Sequence, residues 1–379
     1  MIGPYSAIND GTIKYLGNNI FRPIDNVAHT PFSLDLISSR VGQMHSDKMW
    51  SCISRINHRI NMSTNEYFES LNALFTILPL TTRMISSPGA VYGKEAISYT
   101  TDTSPITVEW FDLERSVFLA ESSQIYLELS LLQSGVDHVY AIYNSFRKEK
   151  ADITHLSEFH HIEYEGKVKQ SENIIIAKNL VKKIILDLLK YNSSDLAYFL
   201  KEKKLYELEE MANKLDKVPM LKFSEVLEIL YKETKNERYK KFTQNGTFGS
   251  WEEVLLTEVL KNMVIVTEFP LLEVPFYHDV VDGSEPKTAN NADFIWPGYR
   301  EFLGSGQRVR DTNALEEKAR IFDLPRNDYR PYLQSRELSG YTITSGFGLG
   351  WERLLHGLLD MPNIWSAVQF PRGHVELIP

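Results

Sequence analysis

Two segments restrict the fold more than anything else in the chain: "HVYAIYNSFRKE" and "EFHHIEYE", joined by the polar link "KADITHLS". Each is rich in β-branched and aromatic residues, and the link is long enough only to turn one strand back beside the other. Antiparallel neighbours connected in this way call for an antiparallel sheet and argue against a parallel sheet of the Rossmann type. Further strand character returns at "MVIVTEF", "VPFYHDVV" and "ADFIWPG". The expected class is therefore α+β, a large antiparallel β-sheet flanked by helices.

Alternation along these strands sorts side chains by face. Arg147 and Glu149 project to one side, and on the return strand Phe159, His161, Glu163 and Glu165 share a face. An arginine can clamp a phosphate or carboxylate through two bonds, and a glutamate can accept from an exocyclic amine. An aromatic ring and acids beside an arginine would suit an adenine ring, its phosphates and a metal, although by themselves Arg147 and Glu149 are better explained as a surface Arg–Glu pair on a hairpin. His160 and His161 are adjacent on a strand and point apart, so they do not form a zinc site.

Two other segments carry chemistry. In "ADFIWPGYREFLGSGQRVRD", Asp293 and Glu301 can jointly hold Mg²⁺, while Arg308 follows a glycine-lined turn and can meet an anion. In "SGFGLGWERLLHG" the glycines match neither the phosphate loop ending in Gly-Lys-Ser/Thr nor the dinucleotide fingerprint. They are expected to let a helix bearing Arg353 pack closely on a sheet.

The remaining chain is organised around these segments. Residues 1–45 are broken by Gly and Pro and form an amino-terminal extension without an assignable element. Met49, Trp50, Ile53, Ile56 and Ile60 repeat at helical spacing, and a second helix is expected over Thr64–Ala73 with Thr64 as its cap. "LFTILPLTT" reads as a strand whose Pro79 must lie at a sheet edge or strand end. A hairpin is expected around "DLERS", and a helix over "SQIYLELSLLQSG" closed by Gly135. Residues 166–249 are lysine-rich and leucine-spaced, which predicts a helical insertion in a domain spanning 46–379. A net charge of −9 and a pI near 5.7 argue against nucleic acid as the main partner. The single Cys52 excludes a disulfide framework. No apolar run of the roughly 18 residues needed for a span, nor a signal-like amino terminus, is present, so a cytoplasmic protein without a membrane partner is expected.

Taken together, the segments resemble the signature motifs of the class II aminoacyl-tRNA synthetases, in the aspartyl/asparaginyl branch. "FRKEKADITHLSEFHHIEYE" is similar to motif 2, and "GFGLGWERLLHGLLDMPNIWSAVQFPR" to motif 3. "FTILPLTT" resembles a degenerate motif 1, and "FLAESSQIYLE", "FYHD" and "EFLGSGQR" follow in the family's order. The resemblance implies ATP and Mg²⁺ as cofactors. It places Arg147 on the α-phosphate and substrate carboxylate, Glu149 on the adenine amine and Phe159 against the ring. His155 would approach the outer phosphates, Arg353 the γ-phosphate or the other adenine face, and Glu301 with Asp293 the metal. Ser122 and Gln124 would contact the amino acid and Arg308 its side chain. A homodimer through the segment around Pro79 is also implied.

Three departures shape the functional expectation. The stretch before motif 1 is shorter than the family's anticodon-binding barrel, so no such domain is expected. A glutamate before Gly-Ala is replaced by Pro88, and a basic residue by Val274. An arginine of the motif 2 loop is replaced by Thr154, beside His155. The organisation resembles the archaeal asparagine synthetase related to asparaginyl-tRNA synthetase. The expectation is therefore an AMP-forming ligase that activates an aspartate- or asparagine-like carboxylate and passes it to ammonia or an amine, with tRNA left out. A truncated synthetase that charges a tRNA or carrier, and a non-catalytic paralogue, are the alternatives.

Overall fold

A computed structural model describes residues 3–21, 32–86, 105–112, 114–148, 153–243 and 248–378. A small antiparallel sheet comes first: β1 (Tyr5–Ala7), β2 (Ile13–Tyr15) and β3 (Asn18–Phe21). The helix Lys48–Ser70 leads to β4 (Leu74–Phe75) and to β5 (Thr81–Thr82), which joins β6 (Thr107–Val108) and β7 (Val117–Leu119) in a second small sheet. The "DLERS" hairpin is thus realised by β6 and β7. Pro79 lies between β4, at one edge of the main sheet, and β5, in the other sheet.

The main sheet is built from β4, β8 (His138–Phe146), β9 (Glu158–Gly166), β10 (Met220–Lys222), β11 (Val264–Thr267), β12 (Asn291–Ile295), β13 (Glu301–Gln307) and β14 (Ser345–Gly350). Its order is β10-β11-β12-β13-β14-β9-β8-β4. All internal pairings are antiparallel, and only the edge strands β10 and β4 run parallel to their neighbours. The antiparallel expectation holds because the central hairpin of β8 and β9 pairs over its full nine residues on each strand.

Alternation gives the sheet a dry face and a polar one. On the dry face Tyr164, Phe347, Leu349, Leu303 and Phe294 enter the main core with the helices Lys48–Ser70 and Gln170–Tyr191. Phe68 stacks on Tyr164 with centroids 5.5 Å apart, and Tyr164 on Phe347 at 5.2 Å; such pairs add about 0.5–1.5 kcal/mol each beyond area burial.

Several local expectations change. Lys48–Ser70 is one helix, not two, and Thr64 is buried inside it. A threonine can begin a helix, but here the apolar stripe continues through it to Phe68, and burial of that stripe outweighs the cap signal. The cap is Asp47, whose side chain accepts from the Met49 amide. "VPFYHDVV" forms no strand; its residues make isolated bridges, His278 to Arg308 and Val280 to Ala289. Within 166–249, the helix Gln170–Tyr191 packs on β13 and β14, and β10 extends the main sheet, so this lysine-rich block is part of the same core. The amino-terminal sheet is likewise tied in, through Tyr5 to His356 Nε2 at 3.0 Å and the Trp251 indole donating to the Ile8 carbonyl.

Candidate active site

The polar face has a floor made of glycine. Register aligns Gly304 with Gly348 and Gly306 with Gly346 across β13 and β14, and Gly348 and Gly346 with Glu163 and Glu165 on β9. Neither "GFGLG" nor "GSG" is a turn. The glycines are the alternate residues of two adjacent strands; between them Phe347 and Leu349 face the core, as does the buried Ser305, whose hydroxyl donates to the Ala292 carbonyl at 2.8 Å. A side chain missing from the sheet leaves a trough in which neighbouring polar groups lie flat. A β-carbon on Gly346 would stand 2.0 Å from Glu165 Oε2, one on Gly306 2.8 Å from the His278 ring, and one on Gly304 2.8 Å from Glu301 Oε1. Only Gly357 serves the close helix packing expected of this segment, against Trp296.

At one end of the trough a cleft of about 550 Å³ is lined by Arg147, His155, Phe159, Glu301 and Arg353, with His161, Gly348 and Gly350. Five of the residues assigned to ATP from the sequence therefore converge; Glu149 lies outside the described residues, as does Pro88. The Arg147 guanidinium sits over the Phe159 ring, 5.4 Å from its centroid. Arg353 begins the helix Trp351–Leu358 and donates to the Glu301 carbonyl at 2.9 Å and to its carboxylate at 3.4 Å. Burial, then the charges of Arg300 and Arg147, depresses the Arg353 pKa against the pull of Glu301 and Glu253. Cations crowded in this way favour a polyanion such as a triphosphate. The Ser145 hydroxyl lies 2.7 Å from His161 Nδ1.

Asp293 and Glu301 both lean over Gly304, with oxygens 3.7 and 2.8 Å from where its β-carbon would be. Burial, then Glu301 and Glu253, pushes the Asp293 carboxyl well above its usual range. Two close carboxylates that repel each other fit a divalent cation, which would relieve that repulsion. Among the described residues no group of three or more His, Cys, Asp or Glu is arranged to hold a metal alone, so phosphate oxygens would complete the coordination.

At the other end of the trough, Arg308 and Glu165 form a buried two-bond pair, Nε to Oε1 and Nη2 to Oε2, each at 2.8 Å. Burial opposes the Arg308 charge, and Glu165 more than offsets it, holding the guanidinium above its ordinary range. Ser122 donates to Glu163 Oε1 at 2.7 Å. Burial pushes Glu163 up to about 7, against the nearby Tyr143 and Ser122 hydroxyls and Arg308. Three polar atoms here are buried without a hydrogen bond: Arg308 Nη1, Gln124 Nε2 and Glu163 Oε2. Orphaned groups of this kind are costly unless a ligand completes them. Ser122, Gln124 and Arg308 were legible as a set only through the family resemblance. Glu163 was visible in the strand alternation as one of the acids suited to a nucleotide and its metal, not as a contact of the amino-acid pocket, and Glu253 and Arg300 gave no signal, because a helix elsewhere in the chain supplies Glu253. Val274 is buried in the main core.

The chain matches the family described as tRNA synthetases class II (D, K and N) over residues 37–374. It is 30% identical over 268 residues to the asparagine–tRNA ligase of Aster yellows witches'-broom phytoplasma, covering 70% of this chain and 52% of that one. With the asparagine–tRNA ligase of Thermococcus kodakarensis it shares 29% over 370 residues, 97% of this chain and 78% of the other. The asparaginyl-tRNA synthetase of Pyrococcus horikoshii, solved with asparaginyl-adenylate, superposes with a TM-score of 0.77 at 25% identity, over 92% of this chain and 74% of that one. The chain spans about half the length of the phytoplasma relatives, 52% in each case.

These relatives overturn the expectation of a tRNA-independent amide ligase with ammonia or an amine as acceptor, and with it the reading of tRNA as the less favoured partner. The proteins resembled over most of the chain are asparagine–tRNA ligases. The acidic balance misled because net charge is a sum over the whole surface, and a nucleic acid senses the local field where it docks. With its glycine-floored antiparallel sheet, its convergent motif residues and a family match over most of its length, the chain belongs to the class II tRNA synthetases of the D, K and N type.

Proposed function

We propose that this protein activates L-asparagine with ATP and transfers it to tRNA. The observation that carries the reading is the orphaned set at the end of the trough. A carboxamide presents one acceptor and one donor group. Arg308 Nη1 can donate to its oxygen and Glu163 Oε2 can accept from its nitrogen, while an aspartate carboxylate would face Glu163 with like charge. The asparagine–tRNA ligases among its relatives and the adenylate-bound Pyrococcus horikoshii enzyme support the same substrate.

In this reading Phe159 stacks on the adenine, and Arg147 holds the substrate carboxylate against the α-phosphate for in-line attack. Arg147 and Arg353 stabilise the charge that develops as pyrophosphate leaves. Asp293 and Glu301 would hold Mg²⁺, which when bound neutralises phosphate charge. A tRNA hydroxyl then attacks the adenylate carbonyl, and AMP departs. The enzyme works in the cytoplasm as a dimer, in which a second copy covers the apolar edge around Pro79. Ile77 is 90% exposed there, beside Leu74, Phe75 and Leu80, and Ile77→Asp should shift the sedimentation coefficient from dimer to monomer. A wild-type protein that sediments as a monomer would refute this interface.

The deciding experiment is ATP–pyrophosphate exchange with asparagine, aspartate and no amino acid, followed by acylation of tRNA. Asparagine-dependent exchange and asparaginyl-tRNA are expected. Exchange only with another acid, or none in folded protein, would refute the reading.

Glu163 adds a pH dependence with a definite sign. The ionised carboxylate accepts from the substrate amide more strongly than the protonated group does, so KM for asparagine should fall as pH rises through about 7, and Glu163→Gln should flatten that profile. In the empty protein the linkage runs the other way. The raised pKa makes ionisation unfavourable, so stability declines from the ordinary carboxylate range up to about pH 7. A KM independent of pH between 6 and 8, read at about unit intervals around that pKa, would remove Glu163 from the site.

A further inference from the structure

We propose that Arg300, anchored by Glu253, is a third phosphate-site cation, supplying from the sheet the positive charge that the motif 2 loop lacks at Thr154. The inference rests on the adenylating function proposed above and adds a residue that neither the motifs nor the strand alternation marks.

Arg300 is the residue before Glu301, and its guanidinium bridges three elements. Its Nε donates to Glu253 Oε2 at 3.1 Å, on the helix Ser250–Leu260. Its Nη1 lies 3.2 Å from Thr154 Oγ1 and 3.2 Å from His155 Nε2, both on the cleft wall. The same Glu253 oxygen accepts from the Glu301 amide at 3.1 Å. One buried carboxylate therefore fixes both the arginine and the backbone of a proposed metal ligand.

The consequences are geometric and electrostatic. A guanidinium has no acceptor, so His155 Nε2 receives from Arg300 and its ring proton sits on Nδ1, 3.1 Å from Thr154 Oγ1. His155 is thereby turned toward Arg300. The fixed positive charge behind this wall belongs to Arg300, whose Nη1 lies within 3.2 Å of both cleft-lining residues. Arg147 and Arg353 line the cleft, where the phosphates of ATP and the departing pyrophosphate would lie, and Arg300 stands directly behind its Thr154–His155 wall, in the small adjoining cavity with Tyr5, Ser250 and His356. An arginine at Thr154 would bring its guanidinium to the same wall from the loop side.

Binding of magnesium pyrophosphate and of magnesium ATP, measured by calorimetry on the whole protein, tests the assignment without relying on turnover. Arg300→Ala should weaken both by about 10- to 100-fold, the loss of a charge-assisted contact, while asparagine affinity stays within about twofold. Thr154→Arg combined with Arg300→Ala should recover most of the lost affinity. Unchanged pyrophosphate binding in Arg300→Ala would overturn the proposal. So would equal losses for asparagine and pyrophosphate, or a double variant as weak as the single one, since each marks a scaffold role. If Arg300→Ala does not fold, Arg300→Gln, which removes the charge and leaves a side-chain amide to donate toward Glu253, is held to the same outcomes. A wild type that binds pyrophosphate but exchanges with no amino acid would refute the proposed function and leave the Arg300 comparison intact.

Discussion

Arg353→Ala should lower asparagine-dependent ATP–pyrophosphate exchange by about 10³-fold, in the range seen when an arginine facing a transferring phosphate is removed. Two effects combine. The cleft loses a partly buried cation where negative charge accumulates on the leaving group. Glu301 also loses its partner, because Arg353 Nη1 contacts both its carbonyl and its carboxylate. A freed Glu301 would turn its charge toward the phosphates instead of being held over Gly304. Arg353→Lys should recover only a small part of the rate, since a lysine cannot span both Glu301 oxygens while facing the cleft. The variant should fold normally, as its side chain is partly exposed at the cleft and stands outside the apolar core. Exchange within threefold of wild type would mean that the helix after β14 does not serve the nucleotide, and the assignment of that segment would fall.

Gly346→Ala should destabilise the protein by about 3 kcal/mol, the upper end for an overpacked interior position, whereas Gly348→Ala should change stability by less than about 1 kcal/mol. The two residues are two apart on the same strand and face the same trough. A β-carbon at Gly346 would meet the Tyr164 carbonyl at 2.4 Å and Glu165 Oε2 at 2.0 Å, and the first of these is backbone. The strand cannot back away, because Asn173 on the helix behind it donates to the Gly346 carbonyl at 3.0 Å. Displacing Glu165 would also strip the buried Arg308 of its counter-charge, which is far costlier than losing the whole pair together. At Gly348 the nearest atom is Glu163 Oε1 at 3.4 Å, a side chain able to give. That variant should fold and instead show a raised KM for substrate, its methyl group occupying the cleft floor. Urea unfolding of the two variants separates these outcomes; equal stability of both with wild type would contradict the register of β9 against β14.

The legible part of the molecule was local. The β8–β9 hairpin, the shared face of Phe159, His161, Glu163 and Glu165, and the helix after the glycine run all follow from periodicity, and the structure contains them. Thr64 and "VPFYHDVV" were misread for the opposite reason. Their local signals for a cap and a strand were outweighed by an uninterrupted buried stripe in one case and by pairing limited to isolated bridges in the other.

What the sequence determined by itself was the antiparallel sheet, the sorting of its side chains onto two faces and, through the ordered motifs, the family. Tertiary structure alone decided that the glycines form a floor, that Glu165 is committed to Arg308 while Glu163 Oε2 stands open, and that Glu253 joins Arg300 to Glu301. Periodicity states which way a side chain points from its own strand. It carries no register between strands and no record of which distant helix will lie against them. The charges that complete this site come together only through those long-range pairings.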